Sequence, residues 1–419
     1  MSSLWIEGGR TLSGRVVVGG NKNSALPLLA ACLLTDEECV LTNVPRIGDV
    51  GVMARLLADL GAEVEGIGTS TLRVRCREMV RDEPQSALVG RLRGSVLLLG
   101  PILARRGRAH LAPPGGDFPA RRTIAMHLRA LRALGARETE GEGHTLEVTG
   151  GLTGASMYLE EASVTGTETA LLAAAAARGV TEIRHAACEP HVVELCEFLA
   201  KMGAHVTGAG THTIRVEGAG TLRGATHELR GDYIEAGSWA VVAAVSGGAS
   251  EVRGARAGDM EVVASVLERM AVRCAFEDDR FVVEPSSPIG GSRITTGLWP
   301  GFPSDLISLV TVLATQADGR TLLHDWMYEL RLFALEQLSG MGADLFLCDP
   351  HRIIVSGPKR LRGRTLDTRD LRSGMALAAA ALAADGQSRL GPLETVERGY
   401  ADLLENLRAL GAHVDRVET

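Results

Sequence analysis

The 419-residue chain reads as an α/β protein built from six repeated βαβ-type units of about 70 residues, which divide most simply into two domains of three units. Two recurrences predict this. An amphipathic helix ending in Gly-Ala returns six times, with its cap at positions 61, 135, 203, 271, 342 and 411, so successive caps lie 68 to 74 residues apart. Alternating with it is a second helix, small or apolar on nearly every side, and a helix of that kind belongs in a core.

In the first amphipathic copy, Met53, Leu56, Leu57 and Leu60 fall at i, i+3, i+4 and i+7, leaving Arg55 and Asp59 on the opposite face. The other copies span 131–136, 195–204, 262–271, 335–343 and 403–412. Glycine suits a left-handed C-terminal cap, and the β-prone residues that follow read as a strand. Only the fourth copy lacks the glycine, with Ala271 in its place. The small-residue helices are expected at 24–34, 94–104, 169–177, 236–245, 306–314 and 374–384. With 50 glycines and only 4% aromatic residues, the chain favours close helix packing over a large aromatic core. A break near residues 228–231 separates the third and fourth units. The strand at 15–20 precedes the first small-residue helix and is free to join the C-terminal half, so the domains are 1–21 with 231–419, and 22–230.

Composition narrows the functional classes. A net charge of -7 and the lack of a basic run with interleaved aromatics argue against nucleic acid. The seven cysteines form no CxxC pair and read as buried thiols of a cytoplasmic protein, without a disulfide framework or metal site. The N-terminus has no basic start followed by an apolar run, and the longest small-apolar stretch, 375–384, is too short to span a bilayer.

The chemistry is concentrated where the small-residue helices begin. Lys22, Arg93 and Arg372 stand at equivalent points of three repeats, and Lys22 is one of only three lysines. If the helices of a domain run parallel, their free N–H groups face one side and favour an anion, to which these side chains add full positive charges.

Six motifs carry a resemblance that covers essentially the whole chain: Gly19-Gly20-Asn21-Lys22-Asn23-Ser24-Ala25-Leu26-Pro27, Leu92-Arg93-Gly94-Ser95, Pro114-Gly115-Gly116-Asp117, Phe302-Pro303-Ser304-Asp305-Leu306, Asp370-Leu371-Arg372 and Glu397-Arg398-Gly399-Tyr400. In order and type they resemble the enolpyruvyl transferases, on the branch whose acceptor is a nucleotide sugar rather than a shikimate. The resemblance implies a two-domain inside-out α/β barrel that closes on substrate, with the catalytic loop near 113–123. It implies transfer of the enolpyruvyl group of phosphoenolpyruvate to a hydroxyl of a uridine nucleotide, with release of phosphate and with no metal or organic cofactor. The first acceptor implied is the 3-hydroxyl of UDP-N-acetylglucosamine, in peptidoglycan precursor synthesis. UMP or a related nucleotide of antibiotic assembly is the alternative, and a non-catalytic binding or regulatory paralogue is a third.

Such a reaction needs positive charge for a phosphate and a carboxylate, a base for the hydroxyl and an acid for the methylene carbon. Carried over by motif, Lys22, Arg122 and Arg398 hold the phosphate, Arg331 and Arg372 grip the carboxylate, and Arg93 supports them. Asp305 orients and deprotonates the acceptor hydroxyl, although taken alone a Pro-Ser-Asp string reads as a helix N-cap. Asn23 and Asp370 position substrate or intermediate. Ile124, Met126, Ser163, Val164, Thr165 and Met327 complete the acceptor side, and His127 reads as a packed loop residue. Asp117 stands where most of the family carries a reactive cysteine; as the acid it implies resistance to fosfomycin, because a carboxylate is a far poorer nucleophile than a thiolate. Departures from the family pattern gather on the acceptor side, at Glu161, at Thr165-Gly166, at Tyr233 and at Leu330. Glu161 replaces a cation, which makes a diphosphate less welcome.

Overall fold

The computed structural model describes residues 2–115, 123–139, 143–329 and 331–418. The chain separates into two compact units, one of Met1–Gly19 with Gly231–Thr419 and the other of Gly20–Arg230. Gly20 and Asn21, expected with the first of these, belong to the second, where the Asn21 N–H donates to Arg230 O at 2.8 Å.

Within each unit the described residues form three sheets on one plan. In the first repeat, strand Cys39–Thr42 follows the buried helix Lys22–Ala31 and pairs antiparallel with Thr71–Arg75, which pairs with Glu63–Glu65, the strand after the Gly61 cap. On its other side Cys39–Thr42 pairs parallel with Thr226–Glu228. Strands Val180–Arg184, Ala249–Arg253 and Gly319–His324 sit in the same surroundings, with Ser156–Tyr158, Ser13–Val17 and Arg293–Thr295 as their parallel neighbours. The second repeat has three strands among the described residues. The sixth is completed by Ser2–Glu7, which lies between Gln387–Gly391 and His413–Glu418. The sequence reading did not anticipate this N-terminal strand and placed the first one at 15–20, whereas the strand there is Ser13–Val17.

The small-residue helices are Lys22–Ala31, Leu99–Arg106, Val164–Ala176, Tyr233–Val245, Ser304–Gln316 and Leu371–Ala383. All of Tyr233–Val245 is buried, and most of each of the others. The sheets, in contrast, alternate: Thr213–Glu217 buries Ile214 and Val216 and exposes Thr213, Arg215 and Glu217. Buried helices inside and half-exposed sheets outside therefore follow from whether a segment is apolar on every side or on one.

The caps behave as the Gly-Ala signature predicts. Gly61, Gly135, Gly203, Gly342 and Gly411 have φ of 109°, 100°, 113°, 104° and 86°, and Ala271 takes the same left-handed turn at φ 56° despite its Cβ. The fifth amphipathic copy is not one continuous helix. It is a 3-10 segment, Arg331–Leu335, followed by the single turn Gln337–Gly340. The reason is its period: the buried Leu332, Leu335, Leu338 and Met341 recur every third residue, matching three residues per turn rather than 3.6. All seven cysteines are free, but only five are buried; Cys274 is half-buried and Cys348 is exposed on the edge strand Asp344–Asp349. Among the described residues no helix is long and apolar enough to cross a membrane.

Candidate active site

In the unit of Met1–Gly19 with Gly231–Thr419, three predicted site residues converge. Asp305 is the second residue of the Ser304 helix, whose N-cap is Pro303, so it does not cap the helix and its carboxylate is turned to other partners. Arg331 Nη1 donates to Asp305 Oδ1 at 3.0 Å, and Arg372 Nη2 donates to Asp305 Oδ2 at 2.8 Å. Each carboxylate oxygen thus meets a different guanidinium, and both arginine side chains are about nine-tenths buried.

Buried groups fix each arginine from behind. Asp325, wholly buried, accepts from Thr296 Oγ1 at 2.9 Å and from Ser304 Oγ at 2.6 Å; Ser304 Oγ in turn accepts from Arg331 Nη1 at 2.9 Å. The backbone N–H of Met327, a predicted acceptor contact, also donates to Asp325 at 3.2 Å. The Arg331 guanidinium lies 4.4 Å from the centroid of the Tyr328 ring. Asp370 caps the Leu371 helix, its Oδ1 accepting from the backbone N–H groups of Arg372 and Ser373 at 3.0 Å each, which orients the turn that carries Arg372. Burial alone would lower the Arg372 pKa, but the charge of Asp305, with Tyr400 and Asp232 behind it, raises it, so this guanidinium stays charged. Close by, burial and the charge of Asp232 push the Glu235 carboxyl up to about 8. Arg398 is half-buried at the C-terminal end of the short helix Leu393–Glu397.

The unit of Gly20–Arg230 presents a second set. Lys22 opens its helix directly after the cap Asn21, whose Oδ1 accepts from the Asn23 N–H at 2.7 Å. Lys22 Nζ pairs with Asp49 Oδ2 at 2.7 Å, and Asp49 is buried in the first turn of Gly48–Asp59. Arg93 Nη2 donates to Thr123 O at 2.9 Å; Asp117 and Arg122 lie outside the described residues. Leu330 likewise lies outside them.

On the predicted acceptor side, Ile124 and Met126 are buried, so in this structure they pack rather than line an open surface. Ser163 caps the Val164 helix, its Oγ accepting from the Gly166 N–H at 3.2 Å. A Cβ at Gly166 would lie 3.1 Å from Ser163 Cβ and 3.2 Å from Met126 Cβ, a tight fit between the cap and the packed Met126. His127 is in the first turn of helix Ala125–Ala133 and not in a loop, with Nε2 2.9 Å from Thr165 Oγ1. Burial, and then the charge of Arg93, lower its pKa to about 4, so it is a neutral packing residue at ordinary pH. Glu161 is exposed. Tyr233 is buried edge-on against Trp299 with ring centroids 5.5 Å apart.

Asp49, Asp325 and the role of Tyr400 were missed by sequence reasoning. Asp325 had a usable signal, a carboxylate directly after the strand Gly319–His324. Asp49 had none, since an acidic residue in a first helical turn is ordinary.

Six such repeats, with cations at the mouths of the Lys22 and Leu371 helices, suit an enzyme of the carboxyvinyl-transfer class, and the comparisons show one. The model of the EPSP synthase (3-phosphoshikimate 1-carboxyvinyltransferase) family matches residues 6–407, and the chain belongs to that family and is a transferase. It is 42% identical to the UDP-N-acetylglucosamine 1-carboxyvinyltransferase of Bradyrhizobium diazoefficiens, over 98% of this chain and 97% of that one. It is 38% identical to the protein of the same name from Borrelia garinii subsp. bavariensis, over the full length of both. Among solved structures, the enolpyruvyl transferase NikO from Streptomyces tendae superposes with a TM-score of 0.89 at 25% identity, covering 100% of this chain and 99% of that one. EPSP synthase from Acinetobacter baumannii, at 19% identity and a TM-score of 0.78 over the full length of both chains, shares the fold. The architecture is the two-domain inside-out α/β barrel.

Proposed function

We propose that this enzyme transfers the enolpyruvyl group of phosphoenolpyruvate to the 3-hydroxyl of UDP-N-acetylglucosamine and releases phosphate. The observation that carries this reading is the identity of 38 to 42% along the whole chain to proteins bearing the UDP-N-acetylglucosamine 1-carboxyvinyltransferase name. The geometry is consistent with it. Arg331 and Arg372 form a two-guanidinium fork that already holds one carboxylate, that of Asp305, and a fork that holds one carboxylate can hold another. In this mechanism the carboxylate of phosphoenolpyruvate takes the fork, and Asp305, released from it, accepts the proton of the acceptor hydroxyl. Asp117 supplies the proton to the methylene carbon as the acceptor oxygen bonds to the adjacent carbon; Lys22, Arg122 and Arg398 then balance the phosphate as it departs, and the new methyl group returns one proton to Asp117, which restores the double bond, while the phosphate carries off the proton that Asp305 accepted. The reaction belongs in the cytoplasm, where both substrates are made.

A second acceptor is favoured by one observation. Glu161 is exposed two residues before the cap of the Val164 helix, where its negative charge opposes a diphosphate. UMP, with a single phosphate, suffers less from it. Phosphate release measured separately with UDP-N-acetylglucosamine and with UMP decides. Release with UMP alone replaces the first acceptor by the second, and release with neither removes both.

A further inference from the structure

We propose that Tyr400 is a positioning residue for the substrate carboxylate: its hydroxyl fixes the far side of the Arg372 guanidinium so that the near side presents Nη2 to the carboxylate. The inference rests on the function proposed above and adds to it a residue with no role in that scheme.

Tyr400 is fully buried, and its ring lies under Arg372 with the guanidinium carbon 5.6 Å from the ring centroid. Its hydroxyl is 3.2 Å from Arg372 Nη1 and 2.9 Å from Ser238 Oγ, and Ser238 Oγ is 2.7 Å from Ile234 O. The proton positions along this chain are forced. A carbonyl only accepts, so Ser238 spends its single proton on Ile234 O. Ser238 must then accept from Tyr400, which leaves the Tyr400 oxygen to accept from Arg372. The result is a one-way series of donors from Arg372 through Tyr400 and Ser238 to the first turn of the Tyr233 helix.

Every member of the series is buried, so none of these bonds exchanges readily with water. Arg372 is thereby held on three sides: the Tyr400 hydroxyl on Nη1, the Tyr400 ring on one face, and Asp305 on Nη2. When a substrate carboxylate replaces Asp305, the first two remain. They keep the guanidinium from rotating after Asp305 and leaving the fork with one arm.

Replacing Tyr400 by Phe keeps the ring and removes the hydroxyl, which is both the acceptor for Arg372 and the donor to Ser238. Calorimetric titration of the full-length protein with phosphoenolpyruvate, and kinetics with each substrate varied, read the effect. Tyr400→Phe is expected to weaken phosphoenolpyruvate binding and raise its KM about tenfold, the size of losing a hydrogen bond to a charged group, while the acceptor KM moves less than about twofold. Ser238→Ala, one step further from the ligand, is expected to act in the same direction by about threefold. The proposal is overturned if Tyr400→Phe binds phosphoenolpyruvate as the parent does, or if both KM values rise together with a lowered melting temperature. Should Tyr400→Phe not fold, Ser238→Ala decides on the same readouts. Absence of phosphate release by the parent with either acceptor defeats the proposed function alone; the calorimetric comparison still decides the role of Tyr400.

Discussion

Asp305 Oδ2 accepts from Arg372 Nη2 at 2.8 Å, so the base proposed for the acceptor and a cation proposed for the donor neutralise each other in the same contact. A carboxylate whose two oxygens are committed to two guanidiniums is poorly placed to take a proton from an alcohol. In the proposed mechanism, arrival of the enol acid exchanges one carboxylate for another and frees Asp305 only when there is something to transfer.

Asp305→Ala separates the two roles. Turnover is expected to fall by about a thousandfold, the scale of losing a general base, while phosphoenolpyruvate binds at least as tightly because its internal competitor is gone. Phosphate release and calorimetry on the same preparation check this. Turnover near that of the parent would take Asp305 out of the chemistry.

Asp117 puts a carboxyl group where the resemblance implies a thiol in most of the family. Preincubation with fosfomycin is expected to leave activity essentially unchanged, and mass spectrometry of the treated protein should show no added mass on the peptide that contains Asp117. A covalent adduct there, with activity lost at low drug concentration, contradicts the prediction.

Glu235 makes stability depend on pH. Its carboxyl titrates near 8 in the folded chain, because of burial and then Asp232, against an ordinary 4.5 when exposed. Between those values the folded state holds a proton that the unfolded state has released. Its contribution is therefore complete below about pH 4.5 and is lost as pH rises through 8. Urea midpoints of the parent and Glu235→Gln between pH 5 and 9 should diverge, the parent losing up to about 1.4 kcal/mol per pH unit relative to the variant. Parallel curves across that range would show that Glu235 is charged on folding.

Ala271 holds φ 56° where the five equivalent caps are glycine. A Cβ in that region costs about 1 kcal/mol, partly offset by the greater unfolded-chain entropy of glycine. Ala271→Gly is expected to stabilise the chain by about 0.5 kcal/mol, read as a higher urea midpoint with an unchanged slope; a lower midpoint refutes the strain argument.

The repeat was legible because it is local: an apolar stripe, a left-handed turn and a strand lie within some twenty residues, and five glycines mark five of the six turns. Ala271 shows that the turn is imposed by the unit and not by its glycine. The fifth copy reads as a helix by its Gly-Ala ending, which it shares with the others, while its apolar spacing of three goes unread. Ser2–Glu7 was read only for what it does not resemble, a leader, although Leu4 and Ile6 point one way and are fully buried. In the site, Lys22, Arg93 and Arg372 were visible from their place at helix mouths. Their partners were not, because Arg372 meets Tyr400 28 residues away and Asp305 67 residues away, and no periodicity links such positions.

The pairing of Ser2–Glu7 with Gln387–Gly391 and His413–Glu418 has a consequence for biosynthesis. Ser2–Glu7 has no neighbour in its sheet until Gln387–Gly391 is translated about 380 residues later, a wait of roughly 20 to 80 s at ordinary elongation rates. Residues 20–230 can collapse during that interval, while Ser2–Glu7 stays an unpaired edge until those two distant strands arrive to cover it.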